Sequence, residues 1–336
     1  MTASVIPTRQ ILRTVQGGVR WETQPLGELH PRHLRVRTYA SAVSIGTELT
    51  MLRASPEGTA LGYSASGVVE AVGTEVRGFA PGDRVAVYGA PYVHHASHLE
   101  VPITLSARVP GAVSLEAAAF GGIGAIAVHG VRQAKLSFGE RALVVGLGPI
   151  GHLSALILEA AGIDTVCVEP EPRRRMRARA AGLRAVAALE EAGDGFDAAL
   201  LTAHGPDSLL DATAQRVRLR GALVVVGDLP VNAARGTLFA RELSVSVSRA
   251  GGPGRYDPQY EREAHDYPLA YVRWTEGRNL ELAVRWMERR LNLSQFVTHT
   301  YPAADAARAY AELDRDRAAA LGVLMRFGAP APEGEP

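Results

Sequence analysis

The chain has 336 residues, 47% of them hydrophobic and 21% charged, which suits a soluble globular protein with two domains that each bury a core. A net charge of +1 gives no electrostatic reason to expect nucleic acid or a membrane surface as partner, and no uncharged apolar run reaches the roughly 18 residues of a membrane span. The single cysteine, Cys167, excludes an intrachain disulfide and a multi-cysteine zinc site, and the single lysine, Lys135, lies in the surface-turn sequence QAKLSFGE, a poor place for Schiff-base chemistry.

Residues 1–118 read as a β-rich domain. Short alternating runs, HLRVRTYASAV from His33, GYSASGVVEAVG from Gly62 and PGDRVAVYG from Pro81, are punctuated by glycine and proline, the pattern of small antiparallel sheets closing into a partial barrel. Between the first two runs, SIGTEL (44–49) reads as a polar loop that carries Thr47 and Glu48. From about Leu115 the texture changes to alanine-rich segments separated by compact Val/Leu runs, the signature of βαβ units and a doubly wound parallel sheet in an α/β domain, residues 119–288.

The most informative unit of that domain runs from Glu140 to Pro172. Ala142–Val145 form a strand buried on both faces; Gly146, Gly148 and Gly151 follow as G-x-G-x-x-G; Leu153, Leu156, Ile157 and Ala160 form a helical stripe that Gly162 ends. A second strand, Thr165–Val168, leads to Glu169, 18 residues beyond Gly151 (169 − 151). In this order the glycines, with Pro149 and Ile150 opening the helix, make a pyrophosphate site at a helix N-terminus. Glu169 stands where a carboxylate binds both ribose hydroxyls of NAD and repels the 2′-phosphate of NADP. The arginines at 173–175, Arg174 among them, are either a phosphate clamp or a solvated helix turn, so NAD is favoured and NADP stays open.

Strands at Asp197–Thr202 and Ala222–Val226, with a helix over 206–219 between them, place Thr202, Gly227 and Asp228 beyond the carboxyl ends of the sheet, where the nicotinamide half belongs. Residues 242–249 alternate like an edge strand, and pairing there with a second copy gives a homodimer or part of a tetramer. Residues 248–279 collect Arg249, Tyr267, Arg273 and Trp274. Arginine with aromatic rings suits a small substrate bearing carboxylate, phosphate or several hydroxyls, and the same segment reads equally as a dimer-contact loop. Residues 289–327 complete the fold, and the Pro/Gly/Glu-biased tail 328–336 is expected to be disordered.

LGYSASGVVEAVG, GDRVAVYG, HHASHLEVP, LSARVPGAVSLEAAAF, VVGLGPIG and YPAADAARAYAELDRDRAAALGVLMRF, in this order over residues 9–327, resemble the medium-chain dehydrogenase/reductase superfamily of the zinc alcohol dehydrogenases. The resemblance implies a GroES-like β-rich domain, a Rossmann domain and a C-terminal return to the first domain. It also puts Ile45 where the family has a zinc-binding cysteine, Tyr63 in place of a histidine ligand, and Gly122 near the third ligand, so a zinc-independent member with no metal is expected. Residues 248–279 look like a narrower bacterial subgroup that also resembles the bacteriochlorophyllide-oxidising dehydrogenases.

Without zinc, the oxygen of a reacting carbinol or ketone needs hydrogen-bond donors and a proton partner. Thr47 holds the family's relay-hydroxyl position, Tyr63 puts a phenol where the metal would stand, and Glu48 takes the place of an orienting acid. Each also has a structural reading: a loop cap, a core filler and an arginine partner. His94, His95 and His98 suggest a replacement metal site, although strand alternation separates their faces; His95 is retained as a general acid/base or cleft wall. The expected activity is NAD-linked hydride transfer to or from a secondary alcohol, on a sugar, cyclitol or polyol. The alternatives are an NADPH-dependent quinone or enone reductase and a dinucleotide-binding sensor without turnover. With no leader pattern of basic then apolar residues, a cytoplasmic location is expected.

Overall fold

The computed structural model describes residues 7–328, so the expected tail, but for Gly328, lies outside the described residues. The described residues divide into two compact units, one of residues 7–122, 256–273 and 297–328, the other of residues 123–255 and 274–296.

In the first unit an antiparallel hairpin, Thr8–Val15 with Gly18–Pro25, accompanies a seven-stranded sheet. The order in that sheet is Val297–Pro302, Gly322–Arg326, His33–Ala42, Ser64–Val72, Arg84–Tyr88 and Ser106–Arg108, with His98–Pro102 pairing on His33–Ala42. The alternation expected from sequence is what buries it: Leu34, Val36, Val69, Val85, Val87, Leu99 and Val101 turn into one apolar cluster. A second cluster joins Leu12, Ile45, Leu49 and Leu61 to Ala309, Tyr310 and Leu313 of the helix Ala306–Arg315. Burying a leucine such as Leu49 there contributes about 1.5–3 kcal/mol.

That second cluster explains a departure from the sequence reading. Residues 44–49 are not a loop: Ser44 is the N-cap of a helix, Ile45–Ala54, although Gly46, Thr47 and Thr50 are poor helix formers. Ile45 and Leu49, at i and i+4, are 3% and 2% exposed, and their packing outweighs local propensity. Residues 256–273 also differ, lying in the first unit and not in the dinucleotide-binding domain. Tyr260 anchors them: it is 1% exposed in the first cluster, its hydroxyl donates to the Thr104 carbonyl, and its own carbonyl accepts from the Thr104 hydroxyl.

The second unit is built on six parallel strands in the order Arg184–Val186, Asp164–Val168, Arg141–Val145, Phe196–Leu201, Val217–Val225 and Ser244–Val247. The chain winds outward from Arg141–Val145 and then restarts on its other side at Phe196, so the topological switch lies between those two strands. The helix expected over 206–219 stops at Ala214, and the strand starts at Val217. VRLR also alternates, and Val217 is fully buried opposite Phe196; Arg220, with φ 63°, marks the irregular register that follows.

Candidate active site

At the topological switch the strand Arg141–Val145 turns at Gly146, whose φ of 92° is the left-handed conformation that side chains avoid. A Cβ on Gly151 would lie 1.9 Å from the Gly146 carbonyl oxygen and 2.4 Å from the Thr202 Oγ1, so only glycine lets the helix pack this closely on the sheet. Gly148 is different. A Cβ there would meet nothing within 4 Å, and Gly148 is the N-cap of the helix Pro149–Ala160, an end that no side chain caps. Gly148, Pro149 and Ile150 are all partly exposed. Open space beside uncapped N–H groups fits a pyrophosphate, whose charge the helix end favours.

Glu169, 4% exposed, closes this turn: its Oε2 accepts the Leu147 N–H at 2.7 Å and its Oε1 the Glu171 N–H at 3.0 Å. Arg174 stands 3.9 Å from Oε2, while Arg175 donates to the Glu169 and Pro170 carbonyls at 2.7 Å each. Arg174 and Glu169 are therefore neighbours, with the acid at the strand end. The Thr202 hydroxyl donates to the Gly146 carbonyl at 2.7 Å. A Cβ on Gly227 would lie 2.8 Å from the Ala203 carbonyl oxygen, so that loop joins the same place. Asp228 is exposed, 3.9 Å from the His204 Nδ1.

In the first unit, Tyr63 precedes the strand Ser64–Val72 and donates its phenol hydrogen to the Ser44 Oγ at 2.6 Å. Burial pushes the phenol up to about 12; the Ser44 hydroxyl works against that shift, the Glu48 charge adds to it, and the Thr47 hydroxyl works against it. Thr47 is exposed on the first turn of the helix Ile45–Ala54. Tyr63, Thr47 and Ser44 thus form a group of hydroxyls; Ser44 escaped the sequence reading.

Glu48 and His95 are also brought together, but out of reach of solvent: both are fully buried, with His95 Nε2 2.8 Å from Glu48 Oε2. The same Oε2 accepts the Tyr310 hydroxyl, Oε1 accepts the Ser44 N–H at 2.7 Å, and His95 Nδ1 lies 2.6 Å from the Ser41 Oγ. One neutral tautomer serves every group, with Nε2–H donating to Glu48 and Nδ1 accepting from Ser41. Both side chains are fully buried, so the direct acid/base role open to His95 is corrected to an internal one, while Glu48 sits as an orienting acid on the Ser44 N–H.

The histidine run does not converge. Burial pushes His94 down to about 4, His95 turns into the network just described, and His98 faces Glu70 at 3.4 Å. Among the described residues no three His, Cys, Asp or Glu side chains are placed to hold a metal ion. The four expected substrate residues are not gathered within either unit: Tyr267 and Arg273 belong to the first, Arg249 and Trp274 to the second. Tyr267 stacks on Tyr260 at 5.3 Å and donates to Asp257, and Trp274 lies under the Arg132 guanidinium at 3.4 Å. Both are packing partners as well as candidates.

Residues 30–144 match the model of the alcohol dehydrogenase GroES-like domain. The chain is 23% identical over 281 residues to 2-dehydro-3-deoxy-L-galactonate 5-dehydrogenase of Pseudoalteromonas atlantica, covering 76% of this chain and 79% of that protein. It is 28% identical over 228 residues to L-galactonate-5-dehydrogenase of Escherichia coli, covering 64% of this chain and 60% of that protein. The crystal structure of 2R,3R-butanediol dehydrogenase from Bacillus subtilis superposes with a TM-score of 0.76 at 21% identity, covering 95% of this chain and 100% of that one. The fold is that of the medium-chain alcohol dehydrogenase superfamily. At Ile45, Tyr63 and Gly122, the positions that the sequence resemblance sets against zinc ligands, there is no thiolate, imidazole or carboxylate. Ile45 is buried in the apolar cluster, and Tyr63 carries a phenol that burial keeps protonated. A Cβ on Gly122 would lie 2.5 Å from the Tyr88 ring and 2.7 Å from the Ser64 Oγ, so the third position has no room for a side chain. This donor set does not fit a zinc ion.

Proposed function

We propose that the protein is an NAD-dependent, zinc-independent dehydrogenase that interconverts a secondary alcohol and its ketone on a polyhydroxylated small molecule such as a sugar acid or polyol. The observation that carries the reading is the glycine turn: open at Gly148, closed at Gly146 and Gly151, with an uncapped helix end facing the opening. Bound there, a nicotinamide dinucleotide supplies the hydride acceptor or donor. Glu169 at the strand end supports NAD over NADP, because a carboxylate repels a 2′-phosphate. The exposed Thr47 and the partly exposed Tyr63 offer hydroxyls to the substrate oxygen, where zinc would otherwise act.

The names of the two galactonate-type relatives support a sugar-acid substrate. The likeness of residues 248–279 to bacteriochlorophyllide-oxidising enzymes adds no substrate to this reading. A homodimer through the edge strand Ser244–Val247 belongs to the same proposal, and so does a cytoplasmic location; no described helix is long and apolar enough to cross a membrane.

The test is a panel of sugar acids, polyols and 2,3-butanediol with NAD and with NADP, beside fluorescence titration of NADH and NADPH. Oxidation of at least one alcohol with NAD, and tighter NADH binding, are expected. Tighter NADPH binding contradicts the role of Glu169, and no oxidation of any alcohol contradicts the dehydrogenase reading.

A further inference from the structure

We propose that Ser44 is a positioning residue for proton transfer at Tyr63, its hydroxyl taking the phenol hydrogen as the phenol takes the hydrogen of the substrate alcohol. The inference rests on the dehydrogenase reading above and adds the partner that lets a protonated tyrosine act.

With burial pushing it up to about 12, the Tyr63 phenol holds its hydrogen at neutral pH and is no simple base. It works as a relay if something accepts its hydrogen at the moment it gains another. The Tyr63 hydrogen is directed at the Ser44 Oγ at 2.6 Å, which leaves the phenol oxygen's lone pairs available to a substrate hydroxyl. In the oxidative direction the substrate O–H bond breaks and a new bond forms to the Tyr63 oxygen. The former Tyr63 O–H bond breaks and one forms to the Ser44 Oγ, and the hydrogen Ser44 carried leaves to water. The carbinol hydride goes to the oxidised nicotinamide dinucleotide, so charge and atoms balance without a tyrosinate. Because two hydroxyls donate either way round, ketone reduction uses the same pair in reverse.

Two features place Ser44 for this role. It occupies the N-cap of the helix Ile45–Ala54, yet its side chain caps nothing, so the hydroxyl is committed to Tyr63 and not to the helix. Its backbone N–H is held at 2.7 Å by the fully buried Glu48, which Tyr310 and His95 hold in turn. Its own helix, braced by two other segments, thus fixes the residue that faces the phenol, and Glu48 acts through Ser44 and not on substrate.

The full-length protein with Ser44→Ala, Ser44→Thr, Tyr63→Phe and Tyr63→Phe/Ser44→Ala tests this, with NAD and L-galactonate, sorbitol and 2,3-butanediol as probe alcohols. Ser44→Ala removes no helix cap, so it is expected to fold. Its kcat is expected to fall about tenfold or more with the KM for NAD unchanged, Ser44→Thr is expected to recover most of the loss, and the double variant to be no slower than Tyr63→Phe. Losses that multiply in the double variant, or an unchanged Ser44→Ala kcat, overturn the proposal. A second readout needs no turnover: the Tyr63 ring-carbon NMR signal, followed to alkaline pH, is expected to titrate higher in Ser44→Ala than in the wild type or Ser44→Thr. Superposable titrations overturn the coupling. If none of the probe alcohols is oxidised, the dehydrogenase reading fails, and the NMR titration still decides whether Ser44 governs the phenol.

Discussion

His152 carries a pH dependence that belongs to a single side chain. It sits in the cofactor-side helix at 1% exposure, against Phe296 at 5.7 Å, and neither ring nitrogen has a hydrogen-bond partner. Burial pushes it down to about 4. A folded-state value below the unfolded one means stability is fully present above pH 6.5 and is lost as the pH falls toward 4. A shift of this size is worth about 3 kcal/mol. His94, pushed down to about 4 mainly by burial, acts in the same direction. His152→Leu is expected to lose much of the drop in melting temperature that the wild type shows between pH 7 and pH 5; equal drops in both proteins would count against this. At the same scale, Glu48 and His95 show why residue type alone misleads. An imidazole in such a place reads as an acid/base candidate, and only the full burial of His95 and Glu48 and their bonds to Ser41, Ser44 and Tyr310 place the pair inside the domain, behind Ser44.

Among the elements, the glycine turn gives the sharpest contrast. Gly151→Ala sets a Cβ against the Gly146 carbonyl oxygen and is expected to disrupt the domain, lowering both thermal stability and NADH binding. Gly148→Ala meets open space, at an extended φ of −65° and ψ of −177° that alanine adopts freely, so its stability should stay within about 0.5 kcal/mol of wild type. It narrows the space for the pyrophosphate, and NADH affinity is expected to fall about tenfold or more. Equal effects of the two substitutions on stability, read by thermal melts beside NADH titration, would refute this division. This element was legible in sequence because its signals are local: a strand, three glycines at fixed spacing, a helical stripe and an acid. The helix Ile45–Ala54 was not, because Gly46 and two threonines mask it and the decisive packing comes from Ala309, Tyr310 and Leu313. Likewise the Tyr310–Glu48 bond spans 262 residues of sequence, which no local pattern reveals.

For the whole molecule, the six-stranded sheet leaves Ser244–Val247 as one edge, with Val247 63% exposed and Phe239, on the preceding helix, 74% exposed. The opposite edge, Arg184–Val186, has only three residues, too short to pair strongly. Light scattering is expected to find a dimer for the wild type and a monomer of retained fold for Val247→Lys/Phe239→Lys; a monomeric wild type contradicts the proposed assembly. A dinucleotide cradle in one unit and the hydroxyl group of Tyr63, Thr47 and Ser44 in the other support the central claim that proton transfer runs through Tyr63 without a metal. The direct measurement is zinc content together with NAD-linked alcohol oxidation, before and after dialysis against a strong chelator. Far less than one zinc per chain and unchanged turnover are expected, and stoichiometric zinc whose removal abolishes activity would contradict the account.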